Sequence, residues 1–271
     1  MNTIVGSVVL AGTLFAGSAA QAVPINLAGW SAEGGSSNWA VQAPTNDAVL
    51  QTVNGDPTVF YDPTVTSTQG QALSGEISVT TTGDDDYIGI LLGYDAGEIN
   101  SAGSDFILVD WKQGDQLFSG RQALSGLAVS RVTDGSTTLD YWNHTGGVSE
   151  IARATTLGST GWNDLQTYQF NIVFQSDLIQ VSVDNVLQLS ITPADAGVGA
   201  FSDGAFGFYN YSQANVLYSS IAQVDCTVTP NVPECQTGGG TAPAPASLAL
   251  LCLGLVGAGL QHRRNATKAR Q

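Results

Sequence analysis

The chain has 271 residues, of which 43% are hydrophobic and only 11% are charged, enough for one domain of ordinary size with additional segments. Between Glu33 and Glu234, 23 acidic residues stand against four basic ones, which leaves this region a formal charge of −19. Such a surface repels nucleic acid and anionic lipid, so the composition excludes a nucleic-acid-binding protein. The acidic side chains either bind cations or only keep the protein soluble.

The first 22 residues are predicted to be a cleaved secretory signal peptide. Residues 4–16 are apolar and small, and Ala20-Gln21-Ala22 forms a small-x-small cleavage site. The segment departs from the usual pattern in one respect, because it contains no lysine or arginine. We expect export of the chain, with cleavage after Ala22.

Residues 23–228 have the sequence pattern of a β-protein. Short apolar or alternating runs are separated by turns rich in glycine, serine and threonine, and no run sustains a 3.6-residue period. Asp184-Asn185 is a hairpin-turn signal between two of the runs. We therefore predict a single all-β sandwich. The predicted strands are 73–79, 87–94, 105–111, 168–174, 179–183, 187–191, 205–211 and 216–221.

A linker, residues 229–242, is predicted to follow the sandwich. Cys226 and Cys235 bracket a short loop at its start, and in an oxidising compartment they can close a local disulfide. The sequence contains no Cys-x-x-Cys pair and no histidine-rich spacing. Nothing in the cysteine pattern therefore indicates a zinc site.

Residues 243–271 have the order of a sorting tail, with a short proline motif, an apolar segment and a basic end. The uncharged segment 246–260 is short for a membrane span, which needs about 20 residues. The tail resembles the bacterial PEP-CTERM sorting signal, with alanine in place of the motif's glutamate. The resemblance implies a C-terminal hydrophobic sorting helix, transient membrane anchoring, an exosortase-type processing enzyme, and display on the surface or in the extracellular matrix of a Gram-negative bacterium. It rests on Pro243, Pro245, Arg263 and Arg264.

The middle of the chain resembles the thrombospondin C-terminal domain from Val49 to Ile221. The resemblance implies a lectin-like (concanavalin A-like) β-sandwich jelly roll. It also implies an extracellular protein that binds Ca2+ and acts in adhesion. Seven segments follow in family order: VLQTVNGDPTVFYD, LSGEISVTTTGDDDYIGILLGYD, FILVDWKQGDQ, GLAVSRV, WNHTGG, GWNDLQTYQFNI and GAFGFYNYSQANVLYSSI.

Three consecutive aspartates, Asp84, Asp85 and Asp86, follow Gly83 and are expected to occupy a turn at a strand entry. Closely spaced carboxylates on a turn suit calcium, which takes about six to eight oxygen ligands. The alternative is a solvated acidic turn without a metal. Taken with the resemblance, the triplet predicts a structural calcium site. One loop seldom supplies a full ligand set, and the additional candidates are Asn54, Asp56 and Asp62.

Two further aspartates, Asp110 and Asp115, flank Trp111-Lys112 and are weaker calcium candidates. Residues i and i+2 of a strand share a face, so Lys112 is an alternative partner for Asp110. Six aromatic residues could line a sugar site, although such residues more often form sandwich core. They are Trp39, Tyr87, Tyr94, Trp111, Trp142 and Trp162.

The sequence does not indicate an enzyme. His144 has no nucleophile or second acid placed with it, and the five glutamates do not form the Glu-x-Asp-x-Glu spacing seen in sandwich glycosidases. We predict a non-catalytic, calcium-binding surface or matrix protein with a role in adhesion or matrix assembly. The alternative is a lectin-like, carbohydrate-binding module for exopolysaccharide. The expected partner is accordingly an exopolysaccharide or a surface protein.

Overall fold

The structure, a computed structural model, describes residues 22–236. This range contains seventeen strands, one α-helix and three 3₁₀ turns. The strands are β1 (Val23–Pro24), β2 (Ser31–Gly34), β3 (Trp39–Val41), β4 (Val49–Gln51), β5 (Thr58–Tyr61), β6 (Gln71–Val79), β7 (Tyr87–Tyr94), β8 (Phe106–Lys112), β9 (Gln116–Phe118), β10 (Arg121–Ala123), β11 (Gly126–Val132), β12 (Val148–Arg153), β13 (Thr167–Phe174), β14 (Ile179–Val183), β15 (Val186–Ile191), β16 (Ala205–Tyr211) and β17 (Val216–Asp225). The helix α1 is Thr138–Asn143, and the 3₁₀ turns are Leu27–Gly29, Glu98–Asn100 and Pro233–Cys235.

The strands form two large antiparallel sheets. The eight-stranded sheet has the order β15-β14-β13-β6-β17-β4-β3, with β1 paired to β17. The seven-stranded sheet has the order β12-β11-β8-β7-β16-β5-β2. Strands β9 and β10 pair with each other as a separate hairpin. The predicted all-β sandwich is confirmed.

The main core lies between the facing sides of the two sheets. Ile88, Ile90 and Leu92 of β7 alternate into it and pack in one cluster with Ile172 and Phe174 of the opposite sheet. All eight residues of β7 are buried, because the other side of this strand is covered as well. This double burial is the physical reason for its uninterrupted apolar sequence.

The outer face of the seven-stranded sheet carries a second apolar cluster, in which Leu108 and Tyr209 pack with Tyr141 and Trp142 of α1. The hairpin β9–β10 lies beside helix α1, and Arg121 Nη1 of β10 lies 2.8 Å from Asp140 Oδ1 of the helix. The sequence did not predict α1. A six-residue helix is too short to display a helical period.

Two local connections agree with the sequence. Asp184 and Asn185 join β14 to β15 with φ angles of 49° and 64°, and positive φ at both central residues is typical of a type I′ hairpin turn. Cys226 and Cys235 form a disulfide with Cα atoms 5.4 Å apart. The disulfide loop packs on the outer face of the eight-stranded sheet, beside Val173.

Several predicted segments lie outside the described residues. They are the signal peptide 1–22 except for Ala22, the end of the linker beyond residue 236, and the sorting tail 243–271 with Pro243, Pro245, Arg263 and Arg264. Within residues 22–236, no helix has the length and apolar character needed to cross a membrane.

Candidate functional site

The three aspartates lie together at the entry to β7. Gly83 precedes them with a φ of 98°, a conformation that glycine adopts readily and other residues do not. One oxygen from each of Asp84, Asp85 and Asp86 lies within 4.8 Å of the others. Asp84 and Asp85 are partly exposed, whereas Asp86 is buried. The turn therefore presents two accessible carboxylates beside one that is removed from water.

Lys112 is the partner of the buried carboxylate. Its side chain is fully buried, and its Nζ donates to Asp86 Oδ1 at 2.6 Å, to the backbone oxygen of Asp85 at 3.1 Å and to Gln116 Oε1 at 3.0 Å. The ammonium also lies 4.7 Å from the ring centroid of Trp142, a favourable cation–π distance. Burial raises the pKa of Asp86 above its ordinary value, and the hydrogen bond and charge of Lys112 oppose that rise.

The alternative pairing of Lys112 with Asp110 is wrong. The two residues share the outer face of β8, as their spacing requires. The register of β7 and β8 places Lys112 opposite Tyr87, however, and so directly beside Asp86. Asp110 precedes Lys112 by two residues, lies opposite Gly89, and binds His144 instead.

Asn54 connects the β4–β5 loop to the triplet. Its Nδ2 donates to Asp84 Oδ2 at 2.8 Å, and its Oδ1 accepts from Ser212 Oγ at 3.3 Å. Asp56 follows in the same loop with an exposed side chain. The Asn54–Asp56 segment and the aspartate triplet, which were predicted to meet, therefore do meet through Asn54.

The remaining aspartate candidates lie elsewhere. Asp62 Oδ1 accepts from the backbone N of Thr64 at 2.9 Å. It follows Tyr61, which lies opposite Gly207 of β16 and through it in register with Leu91, away from the β7 entry where the triplet lies. Asp115 Oδ1 accepts from the backbone N of Ser125 at 2.6 Å, and this bond lowers the pKa of Asp115. Neither residue belongs to the triplet's cluster.

The charge and the carboxylate oxygens of the cluster fit a divalent cation. Three carboxylates and one ammonium leave a formal charge of −2, and carboxylate oxygens are the ligands that calcium prefers. A Cβ at Gly114 would lie 2.7 Å from Asp85 Oδ2. Glycine at this position therefore allows the Asp85 carboxylate to approach the backbone closely.

A second buried charged group, centred on His144, lies on the same outer face. His144 ends α1 with a φ of 49°; its Nε2 lies 2.9 Å from Asp110 Oδ2 and its Nδ1 3.3 Å from Glu150 Oε2. Burial lowers the pKa of His144, but the two carboxylates outweigh burial and raise it to about 9. The imidazolium thus fastens the helix end to β8 and β12. Sequence reasoning missed this group because its members come from three separate elements.

The aromatic candidates are mostly core. Trp111 and Trp162 belong to the inter-sheet cluster, and Trp39 packs against it. Tyr87, Tyr94 and Trp142 belong to the outer-face cluster. Trp142 also lines a surface cavity, together with Phe118 and Tyr211.

The thrombospondin C-terminal region family matches residues 35–228. This range covers more than two thirds of the chain and includes the aspartate triplet and Lys112. The chain belongs to the thrombospondin C-terminal region family. The predicted resemblance of the middle of the chain to the thrombospondin C-terminal domain is thereby confirmed.

Among thrombospondins, thrombospondin-3b of Danio rerio is 26% identical over 200 residues, which cover 68% of this chain and 20% of that protein. Thrombospondin-4 of Bos taurus is 26% identical over 215 residues, covering 74% and 21% respectively. The chain spans about a fifth of the length of these curated relatives. The carbohydrate binding module CBM66 from Bacillus subtilis superposes with a TM-score of 0.50 at 12% identity, covering 73% of this chain and 96% of that one. This likeness shows the lectin-like sandwich fold alone.

Proposed function

We propose that this chain is a non-catalytic, calcium-binding domain that is exported and acts in adhesion or matrix assembly outside the cell. The observation that supports calcium best is the cluster of Asp84, Asp85 and Asp86, which retains a charge of −2 beside Lys112. Membership of the thrombospondin C-terminal family supports the extracellular, adhesive role.

In this proposal the partly exposed carboxylates of Asp84 and Asp85 hold the ion. Lys112 fixes Asp86, and Asn54 orients Asp84. Asp56 lies two residues from Asn54 and is a further candidate ligand. The ion supplies positive charge that relieves repulsion among the carboxylates, so its role is to stabilise the turn before β7.

Export is proposed from the ends of the chain and from the disulfide. A signal peptide, 1–22, precedes the sandwich 23–228, and a linker, 229–242, leads to the sorting tail 243–271. The Cys226–Cys235 disulfide fits an oxidising compartment. The proposed location is the surface or matrix of a Gram-negative bacterium, with the tail processed by an exosortase-type enzyme. The proposed adhesion partner is an exopolysaccharide or another surface protein.

The calcium proposal is tested by thermal unfolding of the fragment 23–236, which contains every strand described here. We expect EDTA to lower the melting temperature and calcium to restore it. Calcium at 100 times its Kd stabilises a protein by about 2.7 kcal/mol, which corresponds to a shift of roughly 5 to 10 °C for a domain of this size.

Variants distinguish calcium binding at the triplet from calcium binding elsewhere on the acidic surface. Asp84→Asn combined with Asp85→Asn should abolish the calcium-dependent shift. Asp177→Asn is the matched control, because Asp177 is exposed in the β13–β14 turn of the other sheet. A wild-type fragment insensitive to both EDTA and calcium would refute the calcium proposal.

A further inference from the structure

A groove runs beside α1, between the helix and the β4–β5 loop. One cavity of about 470 Å³ is lined by Phe118 of β9, Trp142 of α1 and Tyr211 of β16, together with polar side chains. A second cavity of about 240 Å³ is lined by Tyr141 of α1. Asp56 lines both cavities, so they adjoin. Together they reach the size of small-molecule sites, roughly 300–1,000 Å³.

One side of the groove offers a rigid aromatic surface. Phe118 is 50% exposed, yet its ring packs edge-on against Trp142 with centroids 5.4 Å apart. Trp142 is buried and packs in turn against Tyr211 at 5.5 Å. The phenyl ring is therefore held in place while half of its surface remains in water. A fixed, half-exposed aromatic ring is a platform for the apolar face of a ligand ring.

Polar groups with free hydrogen-bonding capacity complete the lining. Gln116 Oε1 accepts from Lys112 Nζ, which fixes the amide and leaves its Nε2 donor without a partner among residues 22–236. The Asp56 carboxylate likewise has no hydrogen-bond donor within the described part of the chain. One oriented donor and one free acceptor suit a ligand rich in hydroxyl groups, since each hydroxyl both donates and accepts.

The charges around the groove select against an anionic ligand. Lys112 is committed to Asp86, and Arg121 of the neighbouring hairpin is committed to Asp140. Asp56 and the −19 charge of the surrounding region repel carboxylate and sulfate groups. A neutral ligand meets no such penalty.

The groove also adjoins the aspartate triplet. Asn54 lines the larger cavity and donates to Asp84 at 2.8 Å. A cation that orders Asp84 therefore also orders a side chain of the groove. Ligand binding here is expected to strengthen when calcium is present.

We infer that this groove binds a neutral polysaccharide, with Phe118 stacking on a sugar ring and with Gln116 and Asp56 bonding to hydroxyl groups. The inference rests on the adhesion function proposed above, whose partner class it names.

The test is affinity electrophoresis of the purified chain in calcium, through native gels that contain dextran, mannan, levan or xylan, and through a parallel gel that contains the acidic polysaccharide alginate. We expect retardation in at least one neutral gel and none in alginate. Phe118→Ala and Asp56→Ala should each weaken binding about tenfold, because each removes one direct contact. Asp56 is also a candidate calcium ligand and Phe118 is not, so calcium should still stabilise Phe118→Ala as it does the wild type. EDTA should weaken binding of the wild-type chain.

Leu117→Ala is the matched control, because Leu117 is the neighbouring residue, is 68% exposed and does not line either cavity. Its retardation should equal that of the wild type. The inference is overturned if no neutral gel retards the chain or if only alginate retards it. It is also overturned if both groove variants bind like the wild type, or if Leu117→Ala loses as much affinity as the groove variants do. A chain that calcium stabilises but no neutral gel retards would overturn this inference and leave the calcium proposal standing.

Discussion

The Lys112 ammonium is completely buried, and the energetics of the acidic turn depend on it. Lys112→Met keeps an unbranched chain of similar length but removes the charge, which leaves Asp86 buried without its partner. Loss of one member of a buried ion pair costs about 3–5 kcal/mol. We expect a destabilisation of that size in urea unfolding of the fragment 23–236.

Arg131→Met is the control for this loss. Arg131 pairs with Asp105 at 2.7 Å, but both side chains are partly exposed to solvent, and such surface pairs contribute at most about 1 kcal/mol. Adding Asp86→Asn to Lys112→Met should recover part of the stability, because the amide carries no charge. Equal effects of Lys112→Met and Arg131→Met would contradict the role given to the buried pair.

The protonation of His144 predicts how the free energy of unfolding depends on pH. Its folded-state pKa of about 9 lies above the value of 6.5 for an unperturbed histidine. The charged ring therefore contributes its full stabilisation below about pH 6.5, and this contribution is lost as the pH rises through about 9. We expect the free energy of unfolding to fall over this window.

NMR titration of the fragment 23–236 measures this pKa without ambiguity, because His144 is its sole histidine; the other, His262, lies in the tail. His144→Gln should remove most of the pH dependence between pH 6.5 and 9. A titration midpoint at or below 6.5 would contradict the charged bridge to Asp110.

The three strands whose bounds the sequence predicted, β7, β14 and β16, are buried along their whole length. β7 and β16 were predicted with the bounds that the structure gives them, because both faces of each strand are buried. The short strands β9 and β10 were missed, since they pair only with each other and leave Leu117 and Phe118 in water. α1 was missed because its six residues are held by tertiary contacts.

The same distinction applies to the candidate site. The triplet Asp84–Asp86 is local in sequence and was predictable. The contact between Lys112 and Asp86 follows from the register of β7 and β8, which no local pattern encodes. Asp62 was included for its similarity to a family segment, but β5 runs in the same direction as β7 and so carries Asp62 away from the triplet, which precedes β7.

The disulfide loop that follows β17 gives a prediction for a whole element. The Cys226–Cys235 loop covers apolar residues on the outer face of the eight-stranded sheet, and Asn171 Nδ2 donates to the backbone oxygen of Glu234 within it. Closing a loop with a sequence separation of 9 stabilises a fold by roughly 2–3 kcal/mol. We expect Cys226→Ala with Cys235→Ala to lower the free energy of unfolding by this amount.

Urea unfolding of the fragment with and without reductant checks the loop prediction. Reductant should destabilise the wild-type fragment to about the level of the double variant and should leave the double variant unchanged. An unaltered wild-type transition under full reduction would show that the apolar contacts alone hold the loop.

The negative charge of the molecule either serves solubility alone or includes a calcium site, and thermal unfolding distinguishes these two explanations. Between Glu33 and Glu234, where 23 acidic residues stand against four basic ones, self-repulsion destabilises the compact state, and any salt relieves it by screening. In EDTA, sodium chloride should therefore raise the melting temperature gradually and without saturation. Calcium added in place of EDTA, at a constant ionic strength set by sodium chloride, should raise it further and saturate once the triplet is filled. The saturating step requires a site, because screening depends on ionic strength alone. If calcium and sodium at equal ionic strength give the same melting temperature, the acidity serves solubility and the triplet is a solvated turn.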